Sequence, residues 1–108
     1  MPIYNKLVRD RIPEIIEEEG KSCSTSILND EQYLEELKNK SFEELEEYTY
    51  AATDADAIEE LADVLEIIHV LAACHGSTFE QLEKVRQRKA KERGSFQEKI
   101  FLHEVKDN

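Results

Sequence analysis

The segment 58–76, IEELADVLEIIHVLAACHG, constrains the fold of this chain more than any other stretch. Between Leu61 and Cys74 it is apolar on almost every side, which is typical of a buried helix. The exceptions are four titratable residues at a spacing of three, which form a slowly drifting stripe on successive turns: Glu60, Asp63, Glu66 and His69. A buried carboxylate without a partner costs several kcal/mol or takes up a proton. The stripe therefore predicts a cation opposite it, either a basic side chain or a metal ion, and a metal is our central hypothesis.

Chain length and charge limit the classes of protein to consider. The 108 residues predict a single domain, 1–108, with a modest core that a partner subunit would help to cover. Acidic residues outnumber basic ones by 25 to 14, giving a formal net charge of −11, which argues against nucleic-acid binding. Cys23 and Cys74 have neither metal-ligand nor secretory spacing, and we recognise no signal peptide or membrane-spanning run. We expect a cytoplasmic protein with reduced thiols and no membrane contact.

Helix-start and helix-stop signals predict an all-α protein, an antiparallel bundle of about four helices. Asp10 is the expected N-cap of a short first helix that stops at Gly20. Asp30 is the expected N-cap of a long second helix over 31–52. The segment 21–29 between them lacks helical periodicity, so we expect a loop or a short extended segment there.

The second half of the chain continues the helical pattern after a polar loop over 53–57. Two capping boxes are expected to open the third and fourth helices: Asp56 with Glu59, starting the helix near Ala57, and Ser77 with Glu80. Gly76 and Gly94 are expected to stop these two helices. The residues after Gly94 predict a short extended tail with a short strand at 100–102.

Heptad counting places Glu44 on the inward seam of the second helix. It lies on one line with Leu37 and Ala51, and Glu47 follows one turn later. Because a short connection makes the second and third helices antiparallel, these acids should face the stripe on the third helix. The predicted metal ligands are therefore four carboxylates: Glu44, Glu47, Glu60 and Asp63. Oxygen donors of this kind favour Mg²⁺ or Mn²⁺, which keep coordination positions for water and for phosphates.

Two groups of basic residues suit an anionic ligand of such a metal. On the fourth helix the apolar line through Phe79 and Leu82 turns basic, with three cations that would bind phosphates: Arg86, Lys89 and Arg93. The general preference of helix C-termini for basic residues is the alternative explanation. Lys6 and Arg9 form a second basic cluster, whose simpler explanation is surface pairing with glutamates. A divalent metal beside phosphate-binding cations is typical of phosphoanhydride cleavage.

These residues resemble the signature of the all-α nucleoside triphosphate pyrophosphohydrolases. EExxE at 43–47 is followed, after twelve residues, by ExxD at 60–63. The blocks YNKLVRDRIPEII, EELADVLEII and KAKERGSF are similar to the MazG-like, phosphoribosyl-ATP pyrophosphohydrolase-like branch of that superfamily, so the resemblance spans most of the chain. The chain departs from the pattern at Ser95, because RGSF stands where RGGF is common.

The resemblance implies a function and a role for individual residues. It implies Mg²⁺-dependent cleavage of the α–β phosphoanhydride of a nucleotide, which releases a nucleoside monophosphate and pyrophosphate. The four carboxylates would be the metal ligands, Glu43 the general base or water-orienting group, and Lys89 and Arg93 the phosphate contacts. Lys6 and Arg9 match an N-terminal motif of the branch and are candidate substrate contacts. The resemblance also implies a homodimer or homotetramer in which helices pair across subunits near the site.

Other classes of protein stay open on the sequence alone. Glu66 and His69 have the ExxH spacing of di-iron bundles, but such sites use two of these motifs and this chain has one. We expect His69 to be a hydrogen-bonded core or interface residue, and Glu66 to extend the metal site or to pair with Lys89. A non-catalytic helical oligomerisation module, or a nucleotide sensor without turnover, would also be consistent with the pattern.

Overall fold

The computed structural model describes residues 3–107, and every regular element within that range is a helix. The helices are, in chain order, α1 Ile12–Glu18, α2 Asp30–Thr49, α3 Asp54–Cys74 and α4 Phe79–Arg93. The predicted all-α class and the number of helices are confirmed for these residues. Within the same range, no helix combines the length and the apolar character needed to cross a bilayer.

The fold is organised around α2 and α3, which pack along each other as an antiparallel hairpin joined by residues 50–53. Among the described residues, the buried apolar side chains all belong to this hairpin: Leu37, Ile67 and Ala72. Glu44 is also buried, as its position one heptad after Leu37 predicts. The helix α4 packs against α3 less extensively than α2 does. The helix α1 packs against no other described helix. The hairpin is therefore the part of the chain that can hold a site in a fixed geometry.

The helix starts differ from the predicted ones because neighbouring residues compete for the capping position. The N-caps of α2, α3 and α4 are Asn29, Thr53 and Thr78, and not Asp30, Asp56 and Ser77. Each cap has extended backbone and accepts a hydrogen bond from the amide three residues later: Gln32 at 2.8 Å, Asp56 at 3.1 Å and Gln81 at 3.1 Å. Such caps typically contribute about 1 kcal/mol. Most of the predicted loop 53–57 is consequently the first turn of α3.

The ends of α1 and α2 also differ in detail from the prediction. Asp10 does not cap α1, since the N-cap is Arg11 and no side chain accepts a hydrogen bond there. The helix α2 ends at Thr49 and not at 52. Gly94 ends α4 as predicted, with a φ of 83° that side chains larger than hydrogen disfavour. Ser95 is not among the described residues with positive φ, so a second glycine is not required at that position.

The tail after Gly94 bends and turns at residues 96–98 and contains no regular element, so the strand predicted at 100–102 is absent from the described residues. A strand needs a partner for its backbone groups, and the described chain supplies none to this segment. The apolar side chains of the tail are consequently exposed, from 73% at Leu102 to 97% at Phe96. The tail therefore adds no apolar side chain to the buried core of the described residues.

The prediction that α3 is buried on all sides is wrong for the single chain. Its outer face exposes an apolar line at a spacing of three or four residues: Ile58, Leu61, Leu65 and Ile68. The radius of gyration is 18.7 Å, whereas a compact chain of this size has about 13 Å. The accessible surface is 10080 Å², against about 6,200 Å² for a compact monomer of this mass. One chain has too few elements to cover the face of α3 opposite α2.

Candidate metal centre

Three of the four predicted ligands come together where α2 and α3 pack. Glu44 and Glu47 lie one turn apart near the end of α2, and Glu60 lies in the second turn of α3. One carboxylate oxygen of each residue lies within 4.8 Å of those of the other two. Two ligands of the same Mg²⁺ lie about 2.9 to 4.2 Å apart when the metal–oxygen bonds are about 2.1 Å long. Small side-chain rotations would therefore close these three residues, the carboxylate cluster, around one ion.

Glu44 is the buried member of the carboxylate cluster, with 7% of its surface exposed. Its Oε1 lies 3.6 Å from Nζ of Lys40, which is too long for a good hydrogen bond. Its Oε2 is buried and has no hydrogen-bond partner, and the same holds for Oε2 of Glu60. Burial raises the pKa of the Glu44 carboxyl, the neighbouring charge of Glu47 raises it further, and Lys40 offsets only part of this. Buried acceptors without donors are costly, and a cation between them would satisfy both.

Asp63 lies beside the carboxylate cluster but is paired with a basic residue. Its Oδ1 accepts a hydrogen bond of 2.7 Å from Nη2 of Arg9. The negative charge of Asp63 still contributes to the raised pKa of Glu44, which places the two acids near each other. The structure thus brings three predicted ligands together and holds the fourth at the edge by an ion pair.

The balance of charge leaves room for a divalent cation. Four carboxylates meet two cations here, Lys40 against Glu44 and Arg9 against Asp63. Two negative charges stay uncompensated, which equals the charge of one divalent ion. Carboxylate oxygens are also the donors that Mg²⁺ and Mn²⁺ prefer. The residues present therefore fit the predicted metal in donor type, spacing and charge.

An open groove of about 620 Å³ lies next to the carboxylate cluster, at the end of the hairpin where α2 turns into α3. Six of its nine lining residues are acidic: Glu43, Glu46, Glu47, Asp56, Glu59 and Glu60. Tyr50 contributes an exposed ring to the same groove. The volume is in the range of small-molecule sites, but the wall repels an anion unless cations are bound. Glu43, the candidate general base, is exposed in this groove and lies outside the cluster itself.

The predicted phosphate-binding residues lie on the exposed surface of α4. Arg86 is already engaged, because its guanidinium donates to Glu83 one turn earlier and thereby lowers the pKa of that carboxyl. Lys89 and Arg93 are exposed, and no carboxylate within the described range lies in ion-pair distance of either. They are therefore free to contact an anion, whereas Arg86 would first have to leave Glu83.

His69 and Glu66 take no part in the carboxylate cluster. The ring of His69 stacks on Phe79 at the start of α4, with centroids 3.8 Å apart and planes inclined by 8°. His69 is exposed in the single chain, so it is not a core residue, and its expected place in an interface stays a prediction. Glu66 is also exposed, and no ion pair with Lys89 occurs among residues 3–107. The one group of potential metal ligands found in that range contains neither residue, which weighs against a di-iron site.

Two residues of this region, Lys40 and Tyr50, and one contact, between Arg9 and Asp63, were not predicted from the sequence. Lys40 stands four residues before Glu44, a spacing that predicts an ion pair on a helix and could have shown it. The contact between Arg9 and Asp63 spans 54 positions, and no local pattern indicates it. Tyr50 looks like any residue at the end of a helix, so nothing marks it as part of a groove.

Comparisons with known proteins identify no family for this chain. Searches of protein-family models, of curated proteins and of solved structures found no match to this chain. The fold and the site define a helical-hairpin protein with a carboxylate cluster between its two long helices.

Proposed function

We propose that this protein is a divalent-metal-dependent nucleotide pyrophosphohydrolase. The observation that carries the proposal is the pair of buried, unpartnered oxygens on Glu44 and Glu60, set in a cluster with Glu47. If these acids served only to keep the helix in solution, burying their carboxylates between two helices would cost free energy with no compensating interaction. The motif resemblance described above supplies the reaction: nucleoside triphosphate and water give nucleoside monophosphate and pyrophosphate.

The carboxylate cluster and Asp63 are the residues that would hold the ion. When bound, Mg²⁺ or Mn²⁺ would neutralise the phosphate chain and acidify a coordinated water. Glu43 is exposed on the groove side of α2, where it can accept a proton from an attacking water. Lys89 and Arg93 would bind the phosphates, with Arg86 as a further contact once it leaves Glu83. Lys6 and Arg9 are candidate substrate contacts from the N-terminal segment.

The proposed assembly is a homodimer or homotetramer. One chain exposes about 3,900 Å² more surface than a compact monomer of its mass. Obligate interfaces bury about 2,000 to 5,000 Å² over both partners together, or about 1,000 to 2,500 Å² per chain, so a second copy would cover part of this excess. The apolar line of Ile58, Leu61, Leu65 and Ile68 on α3 has the spacing of a helix-packing seam and is the natural contact surface. A partner there would complete the helical bundle beside the carboxylate cluster.

A nucleotide panel tests the proposed function. Purified protein is incubated with canonical, deoxy and modified nucleoside triphosphates in the presence of Mg²⁺ or Mn²⁺, and pyrophosphate and monophosphate are measured. We expect both products in equal amounts from at least one nucleotide, and none when EDTA is present. Nucleotide binding without products would favour a sensor, and the absence of any metal or nucleotide effect would favour a non-catalytic oligomerisation module.

A further inference from the structure

The ion pair between Arg9 and Asp63 differs from every other polar contact of the described chain. The other ion pairs join residues two to four positions apart, whereas Arg9 and Asp63 are 54 positions apart. It is also the only side-chain hydrogen bond between separate parts of the fold within residues 3–107. This one contact therefore ties the N-terminal segment to the hairpin at a residue of the candidate metal centre.

The N-terminal segment is otherwise weakly attached. The helix α1 has no buried residue and makes no packing contact with another described helix. Residues 3–11 contain no regular element. Asp10 lies near Tyr33, whose pKa is raised first by burial and in part by the charges of Cys74 and Asp10. Among the described residues, the bond of 2.7 Å to Asp63 is thus the one side-chain ion pair that joins this segment to the hairpin.

We infer that Arg9 is a removable counter-cation of the metal centre, which pairs with Asp63 in the metal-free protein and is released when a divalent ion binds. This inference rests on the proposed function. The guanidinium and the ion need the same carboxylate, and their positive charges repel each other at such short range. The pair is also accessible to solvent, since 56% of the Arg9 side chain and 39% of the Asp63 side chain are exposed. Exposed ion pairs are weak, so a metal ion can displace Arg9 from Asp63.

Release from Asp63 would leave the guanidinium of Arg9 available for a second role at the site. Once Asp63 turns to the ion, Arg9 stays tethered next to the centre through the start of α1, where its carbonyl accepts from Ile12 at 3.1 Å. A guanidinium in that place can bind a phosphate oxygen pair of a metal-bound nucleotide. Metal binding would therefore both complete the ligand set and free a phosphate-binding residue.

Metal titration of two matched variants tests the inference. In Arg9→Gln the competitor is lost, so we expect Mn²⁺ to bind roughly two- to fivefold more tightly than in the natural protein, as the strength of an exposed ion pair allows. Arg11→Gln is the control, because Arg11 pairs with Glu14 within the N-terminal segment and should leave the affinity unchanged. Arg9→Lys keeps the charge and should stay close to the natural affinity.

An unchanged or weaker Mn²⁺ affinity in Arg9→Gln would overturn the role of Arg9 alone. A natural protein that binds no Mn²⁺ would instead remove the metal centre and the proposed function with it.

Discussion

Glu44 lies 3.6 Å from Lys40 on one side, while its second carboxylate oxygen is buried without a partner on the other. The lysine thus compensates part of the charge of a glutamate that burial and Glu47 make harder to ionise. Stability and metal binding therefore oppose each other at this residue. The metal-free chain would be more stable without the charge, and the metal centre cannot form without it.

The first prediction is that Glu44→Gln stabilises the metal-free protein near pH 7.5. The amide keeps the shape of the side chain and removes a buried charge, which we expect to contribute on the order of 1 kcal/mol. For a domain of this size that corresponds to about 4 to 8 °C in Tm. The measurement is thermal unfolding in EDTA. Glu35→Gln on the exposed face of α2 is the control, and an unchanged or lower Tm in Glu44→Gln would contradict the prediction.

The second prediction concerns pH. Above the raised pKa of Glu44 the folded chain carries a charge that the unfolded chain solvates more easily, so the destabilisation is fully present there. As the pH falls through that pKa, the folded state takes up the proton first and stability rises relative to a chain without the group. The advantage of Glu44→Gln over the natural protein should therefore shrink between pH 7.5 and about pH 5. Unfolding at a series of pH values tests this, and a constant difference would argue against a strained Glu44.

The third prediction separates the candidate base from the metal ligands. Glu43→Gln should lower the rate of pyrophosphate release by roughly 10² to 10⁴, the usual contribution of a general base. It should leave the stabilisation by Mn²⁺ intact, because Glu43 lies outside the carboxylate cluster. Glu46→Gln, which lies in the same groove, should retain most activity. If Glu43→Gln instead lost the Mn²⁺ response, Glu43 would be a ligand and not a base.

The fourth prediction concerns assembly through the exposed apolar line of α3. The natural protein should have the mass of at least two chains in light scattering after size exclusion. Leu65→Glu places a charge in the middle of the line and should dissociate the assembly, with a smaller mass and a lower Tm. Glu35→Arg, at an exposed position on α2 and not on the apolar line of α3, should leave the mass unchanged. A monomeric natural protein would remove the proposed role of this surface.

The sequence predicted those parts of the structure that depend on local patterns. Helical periodicity located the four helices, and heptad counting found that Glu44 faces inward beside Leu37. The helix starts were wrongly predicted, because pairs such as Asn29 and Asp30 offer two caps and only backbone conformation decides between them. The burial of α3 was wrongly predicted, since an apolar pattern shows that a face will be covered but not that its cover lies in the same chain.

The sequence predicted which acidic residues form the candidate site, but it did not predict which basic residues pair with them. The spacing of Glu60 and Asp63 on α3 against Glu44 and Glu47 follows from an antiparallel hairpin, and the structure brings three of these four together. The pairing of Asp63 with Arg9 depends on how an irregular segment crosses the hairpin, which no periodicity encodes. The resulting division into a cluster of three and a paired fourth acid is a property of the folded chain alone.

Calorimetric titration with Mn²⁺ tests the central claim most directly, using the natural protein beside Glu47→Gln and Glu60→Gln. We predict one site per chain in the natural protein, and at least tenfold weaker binding in each variant, because each removes a ligand of the carboxylate cluster. Equal binding in all three proteins, or no heat of binding in any of them, would contradict a metal centre between α2 and α3.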